Sequence, residues 1–510
     1  MTALTSQYTT SFHQTRSRWT LLLWFLGLMG ASGLLGLIML RGGPHPVFIG
    51  ALAGLVSIAA IVARPRYGIY QILFLTLVAD GLLVPWFPFA KNLSSRESLL
   101  YLNDALIFSP LELYLALTAL VWGAQHFARR RLSFRPGTLG LPMILFALFM
   151  VLGLGYGIGR GGDLNIGLWE VRPMFYLPLM YLLVLNLIKT RSQVSVLMWL
   201  ITLALFIEGI IGNLHFFFTL EMDLSGVDTI TEHSAAIHMN TLFVMVIAVW
   251  LFKGSRAKRL VLPLFIPFVL FTYLVTQRRA AFISLVIALI LIAVVLYREN
   301  RRVFWAIVPA ASLVGMLYLA AFWNTSGMLG LPVQGIRSVF ADESSGEYRS
   351  NIYRIIENVN TAFTIHQHPL LGVGFGNRFS IIVPMPDISF FDWWEYITHN
   401  SVLWVWMKAG LAGFMATIFL IGAIIVNGAQ AFNRVPGGDL KAMALTMLLY
   451  VIMHFTYAYV DMSWDTQSMV YLGTAAGLLA GLEGIAARPV QQRPHVKDGK
   501  ETVYSNAKLV

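Results

Sequence analysis

LVLPLFIPFVLFTYLVTQRRAAFISLVIALILIAVVLY, residues Leu260–Tyr297, is apolar almost throughout and is interrupted once, at Gln277, Arg278 and Arg279. A helix needs about 20 apolar residues to cross a bilayer, so this run is too long for one crossing. A charge held at the bilayer centre costs about 2.5–3.5 kcal/mol on insertion scales. The stretch therefore reads as two antiparallel spans joined by a very tight turn at Gln277, with both arginines at the membrane edge. The fold class follows from it: an all-α, polytopic transmembrane bundle.

The rest of the chain agrees. Of 510 residues, 57% are hydrophobic and 12% charged, with a mean hydropathy of +0.70; a soluble domain needs about a quarter of its residues charged. There is no cysteine, which removes disulfides, thiol nucleophiles and thiolate metal sites. Apolar runs recur at 19–40, 46–63, 68–84, 105–127, 138–157, 172–188, 193–218, 234–252, 260–277, 279–297, 303–322, 399–427, 441–460 and 466–483. About 14 spans (12–14) are thus predicted, with both termini on one side. Arg16 and Arg18 precede the first run, and no small-residue cleavage site follows it, so it reads as a retained span.

Orientation follows from the basic residues, which resist translocation. With the N-terminus cytoplasmic, 24 of the 36 Lys and Arg fall inside, eleven outside, and Lys408 within a span. The net charge of +11 is then cytoplasmic anchoring, and no nucleic-acid partner is expected. Eight of the outside residues, Arg160, Arg172, Arg278, Arg279, Arg337, Arg349, Arg354 and Arg378, are all arginine. A guanidinium fork binds phosphate bidentately, so the choice points to an anionic ligand on the outer face.

One loop, 323–398, is far longer than the others and is expected to carry structure of its own. In it, Ser344–Glu347 reads as a capping box. Ile352, Ile355, Ile356, Val359 and Phe363 then recur at helical spacing as far as about His366. The opposite face carries Arg349, Arg354, Asn358 and Thr361; such a helix either lies on the membrane or lines a cleft over it. GVGFGN at 372–377 lacks the third glycine of a dinucleotide fingerprint, so Gly374 and its neighbours read as a tight backbone path beside a neighbour or ligand. Arg172, in LWEVRPMFY, is expected where the sixth span begins, with Pro173 in its first turn and Glu170 as a possible ion partner. His399 and Asn400 open the twelfth span. A histidine at a helix N-terminus is disfavoured as imidazolium, which suits a general base, a cap or a packed residue. Glu221 with Asp223 is a thin metal signal. His233 with His238, and Asp461 with Asp465, read as local polar contacts.

Three elements in order resemble a known family. TQRRAAF at 276–282, YRSNIYRIIENVNTAFTIHQHPLLGVGFGN at 348–377 and HNSVLWVWMKAGLAGF at 399–414 are similar to the signature region of the O-antigen ligase and polymerase superfamily. The resemblance covers about 260–425. It implies a glycosyltransferase that uses no metal or cofactor and moves a glycan from an undecaprenyl-diphosphate carrier on the outer side of the bacterial inner membrane. It also implies that Arg172, Arg278 and Arg279 hold the diphosphate, that His399 activates the acceptor, and that Arg349, Asn400 and Gly374 contribute from the loop. Lys408 departs from the family, where glutamate is common. The acceptor is a glycan, a lipid core or a protein. The units expected are N-terminal spans at 1–259, the signature region at 260–427, C-terminal spans at 428–485, and a disordered cytoplasmic tail at 486–510. The competing readings are a flippase for lipid-linked oligosaccharide and a metal-dependent transferase using Glu221 and Asp223.

Overall fold

A computed structural model describes residues 46–104, 106–128, 134–224, 227, 229–325, 328–337, 346–386 and 393–488. The first predicted span at 19–40, the tail beyond 488 and the capping-box side chains at Ser344–Glu347 lie outside the described residues, and of Arg349 only the backbone is described. Among the described residues every regular element is helical.

The helices are α1 Pro46–Ala63, α2 Arg66–Val78, α3 Pro110–Ala128, α4 Gly140–Gly159, α5 Leu164–Leu187, α6 Arg191–Leu214 and α7 Ala235–Leu251. They continue as α8 Arg256–Val275, α9 Arg279–Glu299, α10 Arg301–Ala321, α11 Leu331–Arg337, α12 Gly346–Gln367, α13 Ser401–Arg434, α14 Asp439–Ala458 and α15 Thr466–Ala486. Among the described residues, nine helices are long and apolar enough to cross a membrane, and 52–63, α2 and α7 are shorter apolar helices. The chain is a multi-pass membrane protein.

The last two helices form the centre: α15 packs along α5, and α14 along α7 and α13. At the periphery, α10 has no buried residue, as lipid solvates an apolar side chain as well as protein does. The arginine hairpin forms as expected, with Gln277 in the left-handed region at φ 57° and α9 starting at Arg279. Its two helices both pack against α7.

Three expectations are corrected. The third and fourth predicted spans, 68–84 and 105–127, are shorter helices than expected, α2 ending at Val78 and α3 starting at Pro110; Pro85 and Pro88, lacking an N–H, fall in the irregular stretch between them. The helix carrying Arg172 starts at Leu164, where the Asp163 side chain caps the amides of Asn165 and Ile166 at 2.8 and 3.1 Å. Arg172 and Pro173 therefore lie more than two turns inside α5. Glu170 does not pair with Arg172. It meets Lys408 at 2.7 Å with both side chains fully buried, while Arg172 meets Glu112 at 3.2 Å.

The long loop is partly packed into the helical bundle. α13 is broken at Gly410, whose φ is 69° and ψ −175°. The carbonyls freed there, Met407 and Lys408, accept from the Val373 and Gly374 amides at 2.8 and 3.1 Å, and Leu411 donates to Leu370 at 3.1 Å. Irregular backbone at membrane depth is tolerated where protein supplies its hydrogen bonds, and the glycine turn of 372–377 supplies them. Gly374, at φ 83°, lies directly against Gly157 of α4, where a Cβ would collide with backbone. The predicted tight path is thus a packing seam, tied further by the Gly376 amide donating to Glu170 at 2.7 Å.

Candidate active site

The ends of the helices that carry the singled-out residues meet at one edge of the bundle. Asp461, in the turn between α14 and α15, is the hub. Its carboxylate lies 3.0 Å from His233 Nδ1, 3.5 Å from Arg354 of α12 and 3.7 Å from Arg278 at the start of α9. Tyr457 donates to it at 3.2 Å. Burial would raise the Asp461 carboxyl, but His233, Arg354 and Arg278 together hold it well below the usual carboxylate range. One buried anion thus gathers two guanidiniums and an imidazole, leaving this group of side chains cationic.

His399 stands beside this cluster, its ring centre 6.1 Å from that of His233. Asn400, buried, caps α13 by accepting from the Leu403 amide at 3.1 Å. Ser401 then docks the helix start onto the Asp461 turn: its hydroxyl donates to the Asp461 carbonyl at 3.1 Å and accepts from the Ser463 amide at 3.0 Å. The position of His399 relative to the arginines is fixed by these bonds. On its other side, Nδ1 lies 3.1 and 3.2 Å from the two carboxylate oxygens of Glu357 on α12.

The amphipathic helix α12 forms over the predicted range, with its faces reversed relative to a helix lying on a membrane. Glu357, Asn360, Thr361 and Thr364 are buried, whereas Ile355 and Val359 are exposed. Asn360 on this inward face is bonded through both ends of its amide: it donates to the Val383 carbonyl at 2.9 Å and accepts from the Ile382 and Val383 amides at 3.0 and 2.8 Å. The same helix holds Arg279, whose guanidinium donates to Asn351 at 3.2 Å and Ser350 at 3.4 Å.

Arg278, Arg279, Arg354, His233 and His399 are therefore brought together through Asp461 and α12. Arg172 belongs to an adjoining group on the 79–109 segment. Besides Glu112 it donates to Asn92 at 3.0 Å and to the Ile107 carbonyl. Glu232 lies between the two groups. Burial, then Asp80 and Asp465, push its carboxyl up to about 7, while Lys91 from the Arg172 side and Arg278 from the other pull it down. Gly374 lies in the α4–α13 seam and Asn400 in a cap, so both do structural work. Glu221 sits in a left-handed turn at φ 51°. Among the described residues, no three His, Asp or Glu side chains come together in a metal-holding arrangement.

Sequence reading missed Glu357 altogether and took His233 and Asp461 for local contacts. A signal existed: Asp461 lies in the turn between the last two predicted spans, on the side to which the charge reading assigns the eight arginines.

Comparison with known proteins bears on the same region. The family model described as O-antigen ligase matches residues 264–418. The chain is also similar to the O-antigen ligase of Salmonella typhimurium, with 24% identity over 251 residues. That match takes in 47% of this chain and spans 57% of the relative's length. The matched block contains the arginine hairpin, α12, the glycine turn and the start of α13.

Proposed function

We propose that this chain, similar to the O-antigen ligase family over residues 264–418, moves a glycan from an undecaprenyl-diphosphate carrier to an acceptor hydroxyl on the outer side of the inner membrane. The termini then lie in the cytoplasm and the acceptor is a glycan, a lipid core or a protein. The observation that carries this reading is the pairing of a cationic cluster, Arg278 and Arg354 on Asp461 with Arg279 alongside, with a histidine held at its edge.

The reaction balances as a single displacement with inversion. The acceptor oxygen bonds to the anomeric carbon, the bond from that carbon to the diphosphate oxygen breaks, and the hydroxyl proton passes to His399. Leaving-group charge developing on the diphosphate is met by the arginines, fixed beforehand so that nothing reorganises as the bond breaks. Arg278 and Arg279 bind the diphosphate, and Arg172 reaches it from α5, where Asn92 and the Ile107 carbonyl hold its guanidinium. A base positioned this way contributes about 10²–10⁴-fold.

The test is turnover of the purified, reconstituted protein with a lipid-diphosphate glycan. Arg279→Lys keeps the charge but loses the fork and is expected to lose at least 10-fold in kcat/KM. Wild-type turnover in that variant would remove Arg279 from the diphosphate site.

A further inference from the structure

His399 is not held by its helix alone. Its backbone amide donates to Glu357 at 2.8 Å, and its ring Nδ1 lies against the same carboxylate at 3.1 and 3.2 Å. One side chain from the outer helix α12 therefore grips both the main chain and the ring of a residue on another element. Glu357 is itself fixed: its side chain is 2% exposed, against 24% for His399, and Tyr353 donates to it at 3.3 Å. The Tyr353 ring also meets the His399 ring edge-on, with centres 5.6 Å apart, which limits rotation of the imidazole.

A carboxylate accepts and cannot donate. Nδ1 facing it must carry the hydrogen, which leaves the lone pair on Nε2, at the opposite end of the ring. The imidazole is thus set in one tautomer, its basic nitrogen turned away from α12. We propose that Glu357 is the positioning residue of this enzyme: it fixes the tautomer and direction of His399 and offsets the charge His399 gains when it takes the acceptor's proton. The inference rests on the reading of His399 as that base. The other groups around the ring are Tyr353 from α12 and His233, itself paired with Asp461, from the segment before α7.

Three variants of the reconstituted full chain test it, assayed with a lipid-diphosphate glycan donor and a glycan acceptor. Glu357→Gln is isosteric and keeps an oxygen for the His399 amide. It should lower kcat about 10²-fold with the donor KM unchanged, a fall at the lower end of what a general base supplies. His399→Ala should lower kcat at least as far. The double variant Glu357→Gln/His399→Ala should be no slower than His399→Ala alone, because a residue acting through another adds nothing once that other is gone. A merely structural role for Glu357 would instead slow the His399→Ala background further, and that overturns the proposal. Should Glu357→Gln fail to insert, Glu357→Asp carries the same test, since withdrawing the carboxylate by one methylene weakens its hold on the ring. Unchanged kcat in whichever variant is measured overturns the proposal while the reading of His399 stands. Normal turnover in His399→Ala overturns both.

Discussion

Asp461 shows how a single residue organises the site. It is the anion on which two guanidiniums and a histidine converge, and its carboxyl is held low, so its stabilising effect is present above the ordinary carboxylate range and is lost only as pH falls below it. Asp461→Asn leaves Arg278 and Arg354 partly buried without that charge. Removing one partner of a buried pair costs about 3–5 kcal/mol, so the variant should melt lower at neutral pH and transfer at least 10-fold more slowly. An unchanged melting temperature would show that the arginines find other partners. Glu232 behaves oppositely. Its carboxyl is raised from the ordinary 4.5 to about 7, so the folded protein keeps that proton longer than the unfolded chain. The penalty is absent below about pH 4.5, grows through the window up to pH 7 and is full above it. Glu232→Gln should therefore raise the melting temperature at pH 8 and leave it unchanged at pH 4.5; equal shifts at both would discard the assignment.

At the scale of elements, the broken helix α13 and the turn that repairs it decide where His399 stands. Gly410→Ala puts a side chain at φ 69° and against the Leu370 carbonyl, with a cost of about 1 kcal/mol or more. The fully buried Lys408–Glu170 pair joins α13 to α5. Lys408→Met should be destabilising, because it removes the cation from the buried Glu170 and leaves only the Gly376 amide on that side chain; Glu170→Gln in that background should recover part of the loss, and no recovery would mean that the pair is not what holds the seam. Much of this level was legible in the sequence. The arginine hairpin followed from a run too long for one span, and α12 from its 3.6-residue period. The faces of α12 were not legible, because periodicity separates polar from apolar without saying which side meets protein. The start of α5 was missed because Asp163, a strong cap, was passed over for Pro173, a residue that also sits inside helices. Nor could spacing show that Glu170 meets Lys408, 238 positions away, or that Glu357 meets His399 across two elements.

For the whole molecule, every group in the site lies at one end of the helices, while Lys258–Asp439, Arg434–Glu483 and Lys441–Glu299 lie at the other. The cysteine-free chain makes the orientation directly testable. In sealed vesicles of known sidedness, Arg96→Cys should react with a membrane-impermeant maleimide from the outer side only, and Arg434→Cys from the cytoplasmic side only; the reverse pattern would invert the topology. The central claim is that the outer end is a glycosyl-transfer site whose base is His399. Its most direct test is the protein in liposomes with a labelled lipid-diphosphate glycan and an acceptor glycolipid, assayed with chelator present. The account predicts label on the acceptor together with release of the lipid diphosphate, and loss of both with His399→Ala. Movement of intact donor across the bilayer, with no diphosphate released and no dependence on His399, would contradict it.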